Sequence, residues 1–162
     1  MCFKLNMVAK RVVIVKTRID EIDKLIIKEL AKNARISFRE LAGIVKLTDV
    51  AVIKRVRKLE KIGVIRKYTV IVDPRSLGYE HVSFTGINVR PEKLFDIVKV
   101  LEEMECVKYL ALTGGDHDVL AVIWATTREE LEKIHMEIKN LDGVIAVYPM
   151  ILTNVIKDEL YV

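Results

Sequence analysis

Five cations, Lys54, Arg55, Arg57, Lys58 and Lys61, crowd into the stretch from Thr48 to Ile62, where only Asp49 and Glu60 oppose them. At about 100° per residue, Val52, Val56, Leu59 and Ile62 fall near one line of a helix, and Val50, Lys54, Arg57, Lys58 and Lys61 point roughly the opposite way. One face fits a protein core and the other an anion. Solvated helices usually mix their signs, whereas this face is one-sided. The chemistry it suits is attraction to a polyanion, with counter-ions released from a nucleic-acid backbone.

A second candidate is Thr113-Gly114-Gly115-Asp116-His117-Asp118. Two glycines permit close backbone approach and positive backbone dihedrals, and the carboxylates could hold an ammonium group. From spacing alone, a plain hairpin turn with solvated acids is the simpler reading. Asp116-His117-Asp118 does not read as a metal site, because adjacent strand residues alternate faces and no further His or Cys is spaced to complete one. His81 and His135 are isolated and read as surface or satisfied residues, and Trp124 reads as core. No nucleophile and base pairing, dinucleotide fingerprint or phosphate loop occurs, so the sequence assigns no catalytic residue and no cofactor.

Charge is divided unevenly along the 162 residues. Met1 to Gly78 carries 19 Lys and Arg against 8 Asp and Glu, a surplus of 11; Tyr79 to Val162 carries 8 against 15, a deficit of 7, leaving the net +4. A basic first half attracts polyanions that the acidic second half repels, so two parts with two tasks are expected. Cys2 and Cys106 suggest no disulfide framework, which makes a reducing compartment, the cytoplasm, the expectation. The run Val12 to Val15 is too short to span a bilayer and lacks a signal-peptide pattern, so no membrane partner is expected. The absence of glutamine beside abundant Lys, Glu, Ile and Val leans toward a thermophilic source.

The elements that must position these residues are legible from Ile19 onward. Asp20 caps a helix with an acidic first turn and apolar Ile22, Ile26 and Leu30. Ser37-Phe38-Arg39-Glu40 is a capping box, with Ile36 and Leu41 as its hydrophobic staple, and predicts a helix over Ser37 to Val45. Lys46 and Leu47 form a short turn, Thr48 caps the cationic helix, and Gly63 ends it, which is the pattern of a helix-turn-helix. Val64 to Asp73 alternates and reads as a strand, stopped by Pro74.

Farther on, the sequence predicts a strand over Val82 to Val89, a helix from Pro91 to about Met104 and a strand over Val107 to Thr113. A strand over Asp118 to Ala125, a helix from Thr127 to about Asn140 and a strand over Val144 to Leu152 complete the pattern. This βαββαβ order is that of a ferredoxin-like sandwich, so the fold class is α+β: an N-terminal helix-turn-helix domain plus a C-terminal ferredoxin-like domain. The expected divisions are an extension (1–17), the helix-turn-helix (18–63), a strand and linker (64–80), the ferredoxin-like domain (81–152) and a tail (153–162). Two helices cover one sheet face only, and a second copy of the chain is the expected cover for the other.

These residues carry a resemblance. Ile19-Asp20-Glu21-Ile22-Asp23, Arg35-Ile36-Ser37, Glu40-Leu41-Ala42, Leu47-Thr48, Arg55-Val56, Leu59, Gly63-Val64-Ile65, Leu77-Gly78, Gly115 with Asp118, and Gly143-Val144 together resemble the Lrp/AsnC family of transcriptional regulators. The order and spacing are specific where no single motif is. The resemblance implies a DNA-binding helix-turn-helix and a ferredoxin-like effector domain, called RAM, that dimerises through its sheets and often assembles into octamers. It also implies a small effector, usually an amino acid, at the glycine-containing turn. Two positions depart from the family pattern: Lys46 stands where glycine is common, and His117 where an aromatic often stands.

Read in this way, double-stranded DNA is met by Asp49, Val50, Ala51, Ile53 and Lys54 at base edges, with the capping Thr48 among the DNA-binding residues. Arg55, Arg57, Lys58 and Lys61 lie along the groove or its phosphates, and Arg39 and Lys46 lie at the backbone, with Arg66 and Lys67 beside them. The effector is met by Thr113, Gly114, Gly115, Asp116, His117 and Asp118. Two rival functions share the architecture. One is a decarboxylase of sirohaem-type tetrapyrroles, which need not keep a cationic reading face; the other is an architectural DNA-binding protein without an effector.

Overall fold

The computed structural model describes residues 19–157, so the expectations for residues 1–17, the run Val12 to Val15 included, lie outside the described residues. The chain forms two compact units that divide between Val70 and Ile71.

In the first unit three helices form: α1 (Glu21–Lys32), α2 (Phe38–Val45) and α3 (Asp49–Lys61). Each start is capped. Asp20 accepts from the Asp23 amide while the Asp23 carboxylate accepts from the Asp20 amide, Ser37 and Glu40 make the same reciprocal box, and Thr48 Oγ1 accepts from the Ala51 amide at 3.3 Å. The apolar stripes meet in one core of Ile26, Leu30, Leu41, Ala42, Val45, Val52, Val56 and Leu59, with both staples, Ile36 and Leu47, packed against it. Burying each large aliphatic side chain contributes about 2 kcal/mol. Gly63, at φ +76°, closes α3, with the Val64 and Ile65 amides donating to Leu59 O.

The strand expected over Val64 to Asp73 is corrected. Residues 66–73 join neither helix nor sheet, and Val70 and Ile71 are 80% and 65% exposed. Alternation gives a strand its two faces, but a ladder also needs a partner edge, and no strand of the described chain supplies one.

In the second unit the order is β1 (His81–Val89), a 3₁₀ turn at Pro91–Lys93, α4 (Leu94–Glu103), β2 (Val107–Leu112), β3 (Val119–Ala125), α5 (Arg128–Lys139) and β4 (Val144–Ile151). The sheet is antiparallel in the order β2-β3-β1-β4. On one face Ile87, Val89, Val119, Ala121, Ile123 and Ala125 pack against Ile97 and Leu101 of α4 and Leu131, Ile134 and Ile138 of α5. Because strand side chains alternate, Val82, Phe84, Gly86, Leu120, Val122, Trp124, Tyr148 and Met150 belong to the opposite face, which neither helix covers.

Trp124 is therefore corrected from the core between sheet and helices to the open face. There its ring lies 5.4 Å from that of Tyr79, and Lys108 Nζ stands 5.8 Å from its centroid. Lys108 sits at the register shift between Val107 and Tyr109, a bulge that re-aims its side chain.

Candidate functional site

The helix-turn-helix is built so that one side of α3 is spent on the core and the other is free. Val52, Val56 and Leu59 are buried, whereas Val50 is 62% exposed and Asp49, Lys54, Arg57, Lys58 and Lys61 are exposed with it. Among the described residues, none of these four cations pairs with a carboxylate. Arg39 on α2 and Lys46 in the turn are likewise exposed and, among the described residues, without an ion-pair partner. Arg66 and Lys67 are exposed in the segment after Gly63. The one acid near the end of the face is occupied: Glu60 accepts from the Tyr68 hydroxyl at 2.9 Å, and burial, with this bond second, pushes the Tyr68 pKa up to about 12. A row of unneutralised cations at helical spacing attracts phosphate, and the exposed N-terminal residues are free to approach base edges.

The turn into α3 is tight because Lys46 adopts the left-handed conformation, φ 55° and ψ 46°, as the only non-glycine residue with positive φ among the described residues. Its amide donates to Ala42 O, as does that of Leu47. Thr48 commits its hydroxyl to the α3 cap, and Ala51 and Ile53 are half-buried, so the residues expected at base edges divide into an exposed set (Asp49, Val50, Lys54) and a supporting set.

Arg55 is corrected. It does not lie along the groove face: its Nη1 donates to Asp20 Oδ2 and Asp23 Oδ1, both at 2.7 Å. Asp23 is 1% exposed, and a buried carboxylate needs such a partner. The Asp23 backbone amide first, and then Arg55, hold the Asp20 carboxyl below its ordinary range. A helical wheel counts every charge as outward, so only the capping acid at Asp20 and its neighbour three residues on hinted at an inward partner.

The second candidate site closes on itself more than its spacing suggests. The Thr113 amide donates to Asp118 O at 3.0 Å and the Thr113 hydroxyl to His117 O at 2.6 Å, so the turn is a knitted hairpin with Gly115 at φ +125°. Asp118 is drawn into the sheet: its Oδ2 accepts from the Val89 amide at 2.9 Å, and its own amide donates to Ile87 O. That commitment argues against Asp118 as an ammonium holder.

His117 leaves the turn altogether and lies on the open sheet face. Its Nδ1 donates to Asn88 Oδ1 at 3.0 Å, its ring stacks 4.8 Å from that of Tyr148, and any Cβ at Gly86 would overlap it. Gly114, Gly115 and Asp116 remain exposed, and of the two carboxylates of this turn Asp116 is the one with no partner among the described residues. Asn88, Tyr148 and Gly86 escaped sequence reasoning because they reach His117 only through the register of β1 with β3 and β4. No group of His, Cys, Asp and Glu among the described residues is arranged to hold a metal.

Known proteins share this arrangement. The AsnC-type helix-turn-helix domain matches residues 19–60. The HTH-type transcriptional regulator LrpA of Pyrococcus abyssi is 44% identical over 86% of this chain and 99% of its own length. Among solved structures, LrpC of B. subtilis is 26% identical with a TM-score of 0.77, covering 85% of this chain and 96% of that one. A feast or famine regulatory protein from M. tuberculosis, solved in complex with L-methionine, is 26% identical with a TM-score of 0.80, covering 88% of this chain and 97% of that one. With unpaired cations along α3, a capped helix-turn-helix beneath it and a relative of this identity over nearly its full length, the chain belongs to the Lrp/AsnC family of DNA-binding transcriptional regulators.

Proposed function

We propose that α3 enters the DNA major groove with Asp49, Val50 and Lys54 at base edges, while Arg57, Lys58 and Lys61, with Arg39 and Lys46, meet phosphates. The observation that carries this is the exposed face of α3, whose cations no carboxylate of the described residues neutralises. Two reading heads are brought together by a homodimer formed through the open sheet face, whose apolar Phe84, Val122 and Met150 favour a second copy. Affinity or assembly responds to an amino acid whose ammonium meets Asp116 and whose carboxylate meets backbone amides of Gly114 and Gly115. The L-methionine complex of the M. tuberculosis relative supports that choice of ligand class.

Selection of bound duplexes from a random pool, with and without added amino acids, tests the whole reading. An enriched sequence is expected. Lys54→Ala weakens binding to it and relaxes the choice of bases, at a cost of about 1–3 kcal/mol, whereas Lys61→Ala reduces affinity evenly across sequences. A pool that stays unenriched at moderate salt rejects specific recognition and leaves an architectural DNA-binding protein. Enrichment indifferent to all twenty amino acids rejects the effector.

A further inference from the structure

Arg55 belongs to the reading helix by sequence, and the structure turns its half-buried side chain toward the start of α1. At about 100° per residue, Lys54, Arg57, Lys58 and Lys61 occupy an arc of about 100°, and Arg55 stands roughly 60° outside it. What it meets there is a closed circuit. Asp20 Oδ1 accepts from the Asp23 amide and Asp23 Oδ2 from the Asp20 amide, at 2.8 and 3.3 Å; the remaining oxygens, Asp20 Oδ2 and Asp23 Oδ1, both accept from Arg55 Nη1. All four carboxylate oxygens are thus engaged, two by the α1 cap and two by one nitrogen from the middle of α3. The apolar contacts of Val52, Val56 and Leu59 hold α3 against the core through a force that is itself non-directional. A bridge to two fixed oxygens is directional, because a charge-assisted bond weakens steeply when its geometry is lost.

We propose that Arg55 is a positioning residue of the DNA-reading unit: through Asp20 and Asp23 it sets the rotation of α3 about its own axis, and with it the choice of bases, while touching no phosphate. This rests on α3 being the reading helix. Two signatures separate positioning from contact. A phosphate contact adds about 0.9 to the slope of log affinity against log salt and favours no sequence. A positioning residue leaves that slope alone and changes the ratio of affinities for the selected and an unrelated duplex.

The experiment uses the full chain, the duplex enriched from a random pool and a scrambled duplex of the same length and composition. Both affinities are measured across about 50 to 200 mM salt, at a temperature where circular dichroism finds each variant folded. Arg55→Met strands the Asp23 charge, so it is paired with Arg55→Met/Asp23→Asn, in which no buried charge is left alone. In whichever of the two folds, the selected-to-scrambled ratio is expected to fall about tenfold, the size of one weakened base contact, with the salt slope unchanged. Lys61→Ala is the control: its slope drops by about 0.9 with the ratio intact.

If the slope falls in the Arg55 variants, Arg55 is a phosphate contact and the proposal is overturned. If both ratio and slope stay as in the parent, the bridge serves stability alone and the proposal is overturned as well. If Lys54→Ala and Lys61→Ala also leave DNA binding untouched, the reading of α3 has failed instead.

Discussion

Lys46 concentrates two opposed demands on one residue. In the left-handed region its side chain costs about 1 kcal/mol relative to glycine, because Cβ crowds the following carbonyl. The same residue places an exposed cation at the mouth of the turn, beside the N-terminus of α3. Lys46→Gly is expected to raise stability by about 1 kcal/mol in urea denaturation. It is also expected to lower the salt slope of DNA binding by about 0.9, since one phosphate partner is lost. A variant that gains stability and keeps its slope would show that Lys46 faces away from DNA.

At the scale of elements, the least apolar contact between α5 and the sheet is the informative one. His135 Nε2 bonds to Thr85 Oγ1 at 3.0 Å, and Thr85 Oγ1 to Ser83 Oγ at 2.8 Å, with both hydroxyl residues fully buried. Burial pushes the His135 pKa below its ordinary 6.5. The unfolded chain therefore takes up the proton first as pH falls below that value, and stability declines with falling pH until the folded imidazole titrates too. His135→Gln keeps a partner for Thr85 and removes the titration. Thermal melts between about pH 7 and pH 5 are expected to slope for the parent and flatten for the variant. The carboxylates held low by their bonds, Asp20, Glu40, Asp73, Glu130 and Asp142, lose their contribution as pH falls through the ordinary carboxylate range and below it, beneath most of this window.

These elements were legible where local chemistry decides. Ser37 with Glu40, Thr48 and Gly63 mark helix ends by groups that satisfy backbone donors and acceptors within a few residues, and the structure places α2 and α3 within a residue of the expected spans. Legibility stopped where a partner distant in sequence decides. Residues 66–73 alternate like a strand but find no edge, Trp124 takes the face its register assigns, and His117 follows Gly86 and Asn88 rather than its own turn. Arg55 fails in the same way: its type and spacing say groove, and only the fold brings Asp20 and Asp23 to it.

Over the whole molecule, charge is sorted by task. The basic surplus lies in the half that holds α1 to α3, and the acidic excess in the half that holds the sheet, so the sheet unit does not compete for phosphate. Met150 lies opposite Phe84 on the open face and is half exposed. Met150→Asp would bury a carboxylate in each half of a sheet-to-sheet dimer. It is expected to weaken self-association by about 100-fold, roughly 3 kcal/mol, as read by light scattering over a dilution series. DNA affinity should fall with it, because the two reading heads then bind singly. A variant as dimeric as the parent would place the interface elsewhere.

The seat of His117 has a consequence for inheritance. Its ring fills the volume that any side chain at position 86 would need, so the two positions divide one space between two strands and cannot drift independently. A descendant that acquires a side chain at 86 must first have shed or turned out the ring at 117. The turn from Thr113 to Asp118 would then be grafted between relatives successfully only when the residue facing it on β1 travels along.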